Sequence, residues 1–351
     1  MSSLYGLVEK QNFKATAIVG LTKNVGKTVT FNYLVNKFDQ SKIVLGLISS
    51  GYDGERFDRL TLEEKPRIFA PKGAYLATAE ACFDTAEADL QLMEKSSVFT
   101  PLGSVCLGLV KEAGMVELAG PGSVKGLRLL IDKMLGYGAE QVLVDGAINR
   151  LASASPSVSG GTILATGASL GPTMEDVVKK TSFRQQLLTT PTVENSLVRD
   201  LAQNGLKKGN AVILHRKGES YEVEILKEEI PLLAGEKLID KSRPETAALV
   251  FGGALVDNFL QDIMDLFSDV PDVLVQDASR LFISPEIYYR YLNQGGQFYV
   301  LNRINLLAVT LNPTDPSGKS YDPKMFIERM REALNPCPVF DLEYEKNLIE
   351  I

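Results

Sequence analysis

Residues 13–38 constrain this chain most. An apolar run at 13–19 reads as a strand, and 27–38 has helical character. Between them stands Gly20-Leu-Thr-Lys-Asn-Val-Gly-Lys-Thr28. A glycine-bearing turn between a strand and a helix points the free N–H groups and the positive dipole end of that helix at an anion. Gly26 lets the backbone approach phosphate closely, Lys27 can neutralise it, and Thr28 offers a hydroxyl to Mg²⁺. Gly20, Lys23, Asn24, Val25, Gly26, Lys27, Thr28 and Arg150 are therefore expected to bind nucleotide, with ATP and Mg²⁺ as the cofactors.

The strict P-loop spacing, G-x-x-x-x-G-K-[ST], would put its first glycine at Leu21, whereas the glycine here is Gly20. The register G-x-x-x-x-V-G-K-T matches instead at Gly20, Val25, Gly26, Lys27 and Thr28. In this it resembles the dethiobiotin synthetase branch of P-loop proteins, which includes amide-forming synthetases and ATP-driven regulators of partner proteins. Leu21, Thr22 and Lys23 depart from that branch's G-T-D-T.

A nucleotide–Mg²⁺ site needs a carboxylate, and two aspartates qualify. Asp145 ends the apolar strand Gln141-Val-Leu-Val, and Asp53 follows the β-rich run 42–49. In an open parallel sheet, ligands gather at the carboxyl ends of the strands. Lys27, Asp53 and Asp145 are the catalytic candidates, and Thr28, Asp53 and Asp145 the metal candidates. Asn149 and Arg150 follow Asp145, and the arginine is a candidate for contacting a phosphate or signalling to a partner. Ser317-Gly-Lys-Ser320 repeats part of the motif without a glycine at the required offset, and reads as a turn. Asn312 and Asp315, just before it, are weaker ligand candidates.

The pattern predicts an α/β protein. A P-loop NTPase domain with a mainly parallel sheet occupies 1–194, and a second, smaller α/β domain occupies 195–351. The boundary rests on Pro191 and the charged, β-rich stretch at 211–226. Strands are predicted at 104–109, 141–144, 161–165, 246–250, 272–276, 298–301 and 306–311. Helices are predicted at 123–135, 173–188, 256–267, 285–292 and 323–333.

Other classes are disfavoured. A formal net charge of −7 argues against a broad sequence-independent grip on nucleic acid. The three cysteines, odd in number and far apart, fit a reducing compartment and no disulfide framework. No leader-like start or long apolar run is visible, so the expected location is cytoplasmic. The single histidine, His215, rules out a multi-histidine metal site within one chain. It is expected at the surface end of a strand.

Several further segments resemble one narrower family, the B subunits of lysine 5,6-aminomutase reactivases. They are Gly51-Tyr-Asp-Gly-Glu, Lys65-Pro-Arg-Ile, Leu76-Ala-Thr-Ala-Glu, Val116-Glu-Leu-Ala-Gly-Pro, Val142-Leu-Val-Asp-Gly-Ala-Ile-Asn-Arg and Ile163-Leu-Ala-Thr-Gly-Ala. Beyond about residue 190 the match thins to Val275-Gln-Asp-Ala-Ser-Arg and Ala308-Val-Thr-Leu-Asn-Pro. Asn149 stands where the family pattern has Asp. The resemblance implies an ATPase that restores a cobalamin-dependent lysine or ornithine aminomutase, working with a MutS-related partner subunit. The cobalamin would belong to the client enzyme. Related P-loop proteins dimerise across the nucleotide, which makes a homodimer one implied arrangement. A small-acid synthetase and a slow nucleotide-binding switch remain alternatives.

Overall fold

The computed structural model describes residues 3–51, 67–146, 151–227, 241 and 243–343. It is a mixed α/β protein with a large, mainly parallel sheet, and it forms two compact units. One comprises 1–185 and 305–351, the other 186–304. This differs from the division expected from sequence. Residues 305–351 do not belong with 195–304, because the last two strands of the chain pair into the sheet of the first unit.

The first unit begins with α1 (Leu4–Gln11), β1 (Ala15–Gly20), α2 (Lys27–Gln40) and β2 (Leu45–Ser50). Next come β3 (Ile68–Ala70), β4 (Tyr75–Ala79), α3 (Glu80–Asp84), β5 (Asp89–Thr100), β6 (Gly103–Glu112) and β7 (Gly114–Val116). Then follow α4 (Val124–Tyr137), β8 (Gln141–Gly146), β9 (Gly161–Gly167) and α5 (Met174–Leu188).

In the second unit lie α6 (Ser196–Leu206), β10 (Ala211–Lys217), β11 (Ser220–Leu226), β12 (Thr246–Phe251), β13 (Leu255–Val256) and α7 (Asp257–Leu266). It continues with β14 (Asp272–Val275), β15 (Leu281–Phe282), α8 (Pro285–Asn293) and β16 (Phe298–Val300). The chain returns to the first unit with β17 (Leu306–Asn312), α9 (Pro323–Leu334) and β18 (Val339–Phe340).

The nine-stranded sheet of the first unit runs β18-β17-β9-β1-β8-β2-β4-β6-β5. Pairing is parallel from β18 to β4 and antiparallel through β6 and β5. Strands β1, β2 and β9 are buried along their whole length, as expected of strands covered on both faces. α2 turns Phe31, Leu34, Val35 and Phe38 onto the sheet, the spacing of one helical face. There they meet Ile18, Leu47, Leu143, Ile163 and Ala308, and α1 adds Leu4 and Val8 to the same core. α4 starts at Ser123, whose hydroxyl accepts from Gly126 N, and stops at Gly138 with φ 119°.

The second unit has its own five-stranded sheet, β11-β10-β12-β14-β16. β12, β14 and β16 are parallel, and β10 is antiparallel to both its neighbours. Val198 and Ala202 of α6 pack with Val212, Leu214, Val250 and Leu274.

His215 corrects the expectation from sequence. It is only 2% exposed, because β10 is an interior strand flanked by β11 and β12. Its Nδ1 lies 3.1 Å from Thr246 Oγ1, and its Nε2 lies 3.8 Å from Glu224.

Tyr291 of α8 anchors the far side of this unit. It is fully buried, donates to Pro271 O at 2.6 Å and packs against Phe298 at 5.0 Å between ring centroids. Gly296 fits under it, since a Cβ there would lie 2.3 Å from the ring. Tyr291→Phe strands a buried carbonyl and is expected to cost about 1–3 kcal/mol in chemical unfolding of the full chain.

Candidate functional site

The parallel register aligns the carboxyl ends of five strands along one edge. Gly20 of β1 stands opposite Ala165 of β9, and Ile18 stands opposite Asp145 of β8. Ser49 and Ser50 of β2 pair with Asp145 and Gly146, and Asn312 of β17 pairs with Gly167. From β1 the chain passes over the position of β8 to reach β2, returns to insert β8, then crosses to β9 on the far side of β1. That reversal opens a crevice at the ends of β1, β8 and β9, where open α/β sheets bind ligands.

The 20–28 loop stands over this crevice. Leu21 N donates to Ala165 O at 3.1 Å, fixing its start. Val25 is buried and anchors its middle, so that residue has only its backbone to offer a ligand. Asn24 and Gly26 take left-handed conformations, with φ of 58° and 83°. Asparagine and glycine tolerate that region best. α2 then starts at Lys27 with no side-chain cap, which leaves its first N–H groups for an acceptor from outside the helix. Lys23 and Asn24 are exposed and Thr28 is half-buried.

Gly20 has a steric reason. A Cβ there would lie 2.8 Å from both Cγ and Cδ of Lys27, so the lysine stem lies across the glycine. The ammonium donates to Gly146 O at 2.6 Å and lies 3.7 Å from Asp145 Oδ1. Lys27 and Asp145, both singled out from the sequence, are thus brought together. Asp53, Asn149 and Arg150 lie outside the described residues.

β17 holds the loop from the other side. Asn312 Nδ2 donates to Asn24 O at 2.9 Å, while its Oδ1 accepts from Thr314 N. Thr30 Oγ1 lies 3.1 Å from Gly26 O and 2.8 Å from Thr310 Oγ1, the latter a buried contact, and its one proton can serve either. Sequence reading missed Thr30 and Thr310, since two threonines 280 residues apart carry no local signal. Asn312→Ala removes the latch on Asn24 and is expected to weaken phosphate binding roughly tenfold, the worth of about one hydrogen bond. Competition titration with inorganic triphosphate measures it.

The 317–320 segment is a turn, as expected. Asp315 accepts from Ser317 Oγ and from the N–H groups of Ser317 and Lys319. The Ser317 bond, followed by the backbone bonds, holds its carboxyl below the usual range. Asp315 organises the turn, and Lys319 Nζ covers the carbonyls of Ala168 and Gly171, each at 2.6 Å.

Beside the start of α2 lies a small hollow lined by Val29, Thr30, Asn312, Leu342 and Glu343. Among the described residues, no group of three or more His, Cys, Asp or Glu side chains could hold a metal by itself. Asp145 and Thr28 carry the kind of oxygen donors that Mg²⁺ takes, one or two protein ligands with phosphate oxygens and water completing its shell. Among the same residues, no helix is long and apolar enough to cross a membrane.

No family model matches this chain, and no curated protein or solved structure matches it.

Proposed function

We propose that the chain is a P-loop protein that binds ATP with Mg²⁺ at the 20–28 loop and hydrolyses it. The observation that carries this reading is the Lys27 ammonium, folded back over Gly20 onto the end of β8 beside Asp145. A lysine that donates to one carbonyl at the uncapped start of a helix can exchange that acceptor for a phosphate oxygen at small cost. The N–H groups at the start of α2 bind the phosphates, and Lys27 neutralises the terminal ones. Asp145 and Thr28 hold the metal's shell. Mg²⁺ supplies charge neutralisation across the phosphates.

Lys27 touches both the loop and the strand end that leads into 147–150. Phosphate capture by Lys27 therefore releases Gly146 O, and its loss restores that contact. Such an exchange is the physical form of a nucleotide switch. The further role, reactivation of a cobalamin-dependent aminomutase with a MutS-related partner, rests on the resemblance of the sequence segments named above.

The test is product analysis. A reactivase releases phosphate slowly alone and faster with the aminomutase. Phosphate release that depends on a small carboxylic acid, with an amide formed, would replace this reading by the synthetase one.

A further inference from the structure

The chemistry proposed for the 20–28 loop leaves one buried hydroxyl beside it unused, that of Ser153. The residue lies in the short turn Leu151–Ala154, which packs against β1 and β8, and it is fully buried. Its carbonyl accepts from Ser159 Oγ at 2.8 Å, which holds its backbone. Its own Oγ is buried with no hydrogen-bond partner among the described residues. A buried hydroxyl in that state costs free energy, and native proteins keep few of them.

The place of the hydroxyl gives a reason for it. A Cβ at Gly146 would lie 2.8 Å from Ser153 Oγ, 2.8 Å from Ile18 O and 2.7 Å from Val19 Cγ1. Gly146 therefore has no room for a side chain, and the Ser153 hydroxyl closes directly on its backbone. The carbonyl of that same glycine accepts from the Lys27 ammonium at 2.6 Å. One buried peptide group thus has a charged donor in place and a neutral donor, unused, beside it. We infer that the two exchange: when Lys27 leaves Gly146 O, the Ser153 hydroxyl turns and donates there instead.

A serine hydroxyl reorients by rotation about single bonds, so the exchange leaves the Ser153 backbone tied to Ser159. Without a second donor, capture of a phosphate by Lys27 strands the Gly146 carbonyl, and that loss weakens nucleotide binding. With Ser153, the carbonyl is paired in both states. Ser153 is thereby a positioning residue, acting through Gly146 and Lys27 and not on the phosphate itself. That role rests on the nucleotide reading of the 20–28 loop, whereas the donor exchange is measurable without nucleotide.

The test is a double-mutant cycle in thermal unfolding of the full chain, free of nucleotide. In the wild type the Ser153 hydroxyl makes no bond, so Ser153→Ala is expected to leave the melting temperature unchanged or slightly raised. In Lys27→Ala the hydroxyl already serves Gly146 O, so adding Ser153→Ala is expected to lower it by roughly 2–4 °C. Equal effects in the two backgrounds, the result a merely structural serine gives, overturn the exchange. Titration with inorganic triphosphate separates the two readings. Ser153→Ala is expected to bind it roughly threefold to tenfold more weakly than the wild type. Equal binding by the two overturns the positioning role. Wild type that binds no triphosphate while the unfolding cycle shows the coupling upholds the exchange and contradicts the nucleotide site.

Discussion

Lys27→Ala is expected to lower affinity for ATP–Mg²⁺ about a hundredfold or more, with the protein still folded. Two charge-assisted bonds to phosphate, at about 1.5–3 kcal/mol each, set that scale. The folded state loses the bond to Gly146 O and the ion pair with Asp145, together about 1–2 kcal/mol. Competition with a fluorescent nucleotide analogue measures the affinity, and thermal unfolding measures the remainder. Lys27→Arg is expected not to rescue. The stem runs so close over Gly20 that a single Cβ there would clash with it, and the broader guanidinium fork would have to displace Gly146 or the loop. Full binding by Lys27→Ala would mean that phosphate sits elsewhere.

Gly120→Ala is expected to give the largest loss of stability of any single methyl group added to the first unit. Gly120 is buried, and its Cβ would lie 1.6 Å from Ser49 O and 2.7 Å from Ser49 C, both backbone atoms of β2. Neither can swing aside as a side chain can. The 116–121 segment would have to withdraw, giving up Ala79 N to Ala119 O and the Thr78–Ala119 bond, both 2.9 Å. Overpacking of this severity costs about 3 kcal/mol or more, a fall of roughly 5–10 °C in the melting of a unit this size. Gly136→Ala is the control. It sits in α4 with nothing within 4 Å of an added Cβ, so helix propensity should raise stability by up to about 1 kcal/mol. Ser49 Oγ lies 3.3 Å from the carbonyl oxygens of both Gly51 and Asp145 and can donate to either. Gly120→Ala should therefore also loosen the crevice end of β2, read as faster amide exchange at Gly51 and Gly146.

The parts legible in the sequence were those written locally. The apolar run of β1, the Gly-Lys-Thr at the start of α2 and the Val-Leu-Val-Asp end of β8 each declare themselves within a dozen residues. Their juxtaposition follows from the rule for open parallel sheets. β5 was not legible, because its bulges destroy the alternation of a surface strand. β17 was read correctly as a strand and placed in the wrong unit. Its partner β9 lies some 140 residues earlier, and periodicity says nothing about which sheet a strand joins. His215 looked exposed because Arg-Lys-Gly follows it, yet burial along β10 is set by strands on both sides. Asn312 was noticed only as a loop residue. Its grip on Asn24 depends on that same return of the chain.

The most direct test of the central claim is calorimetric titration of ATP–Mg²⁺ into the wild-type chain, with inorganic triphosphate and GTP–Mg²⁺ alongside. Saturable one-to-one binding of ATP, blocked competitively by triphosphate, is the predicted result. No saturable heat with either nucleotide or with triphosphate would contradict it, leaving the Lys27 fold-back over Gly20 as a structural contact and nothing more.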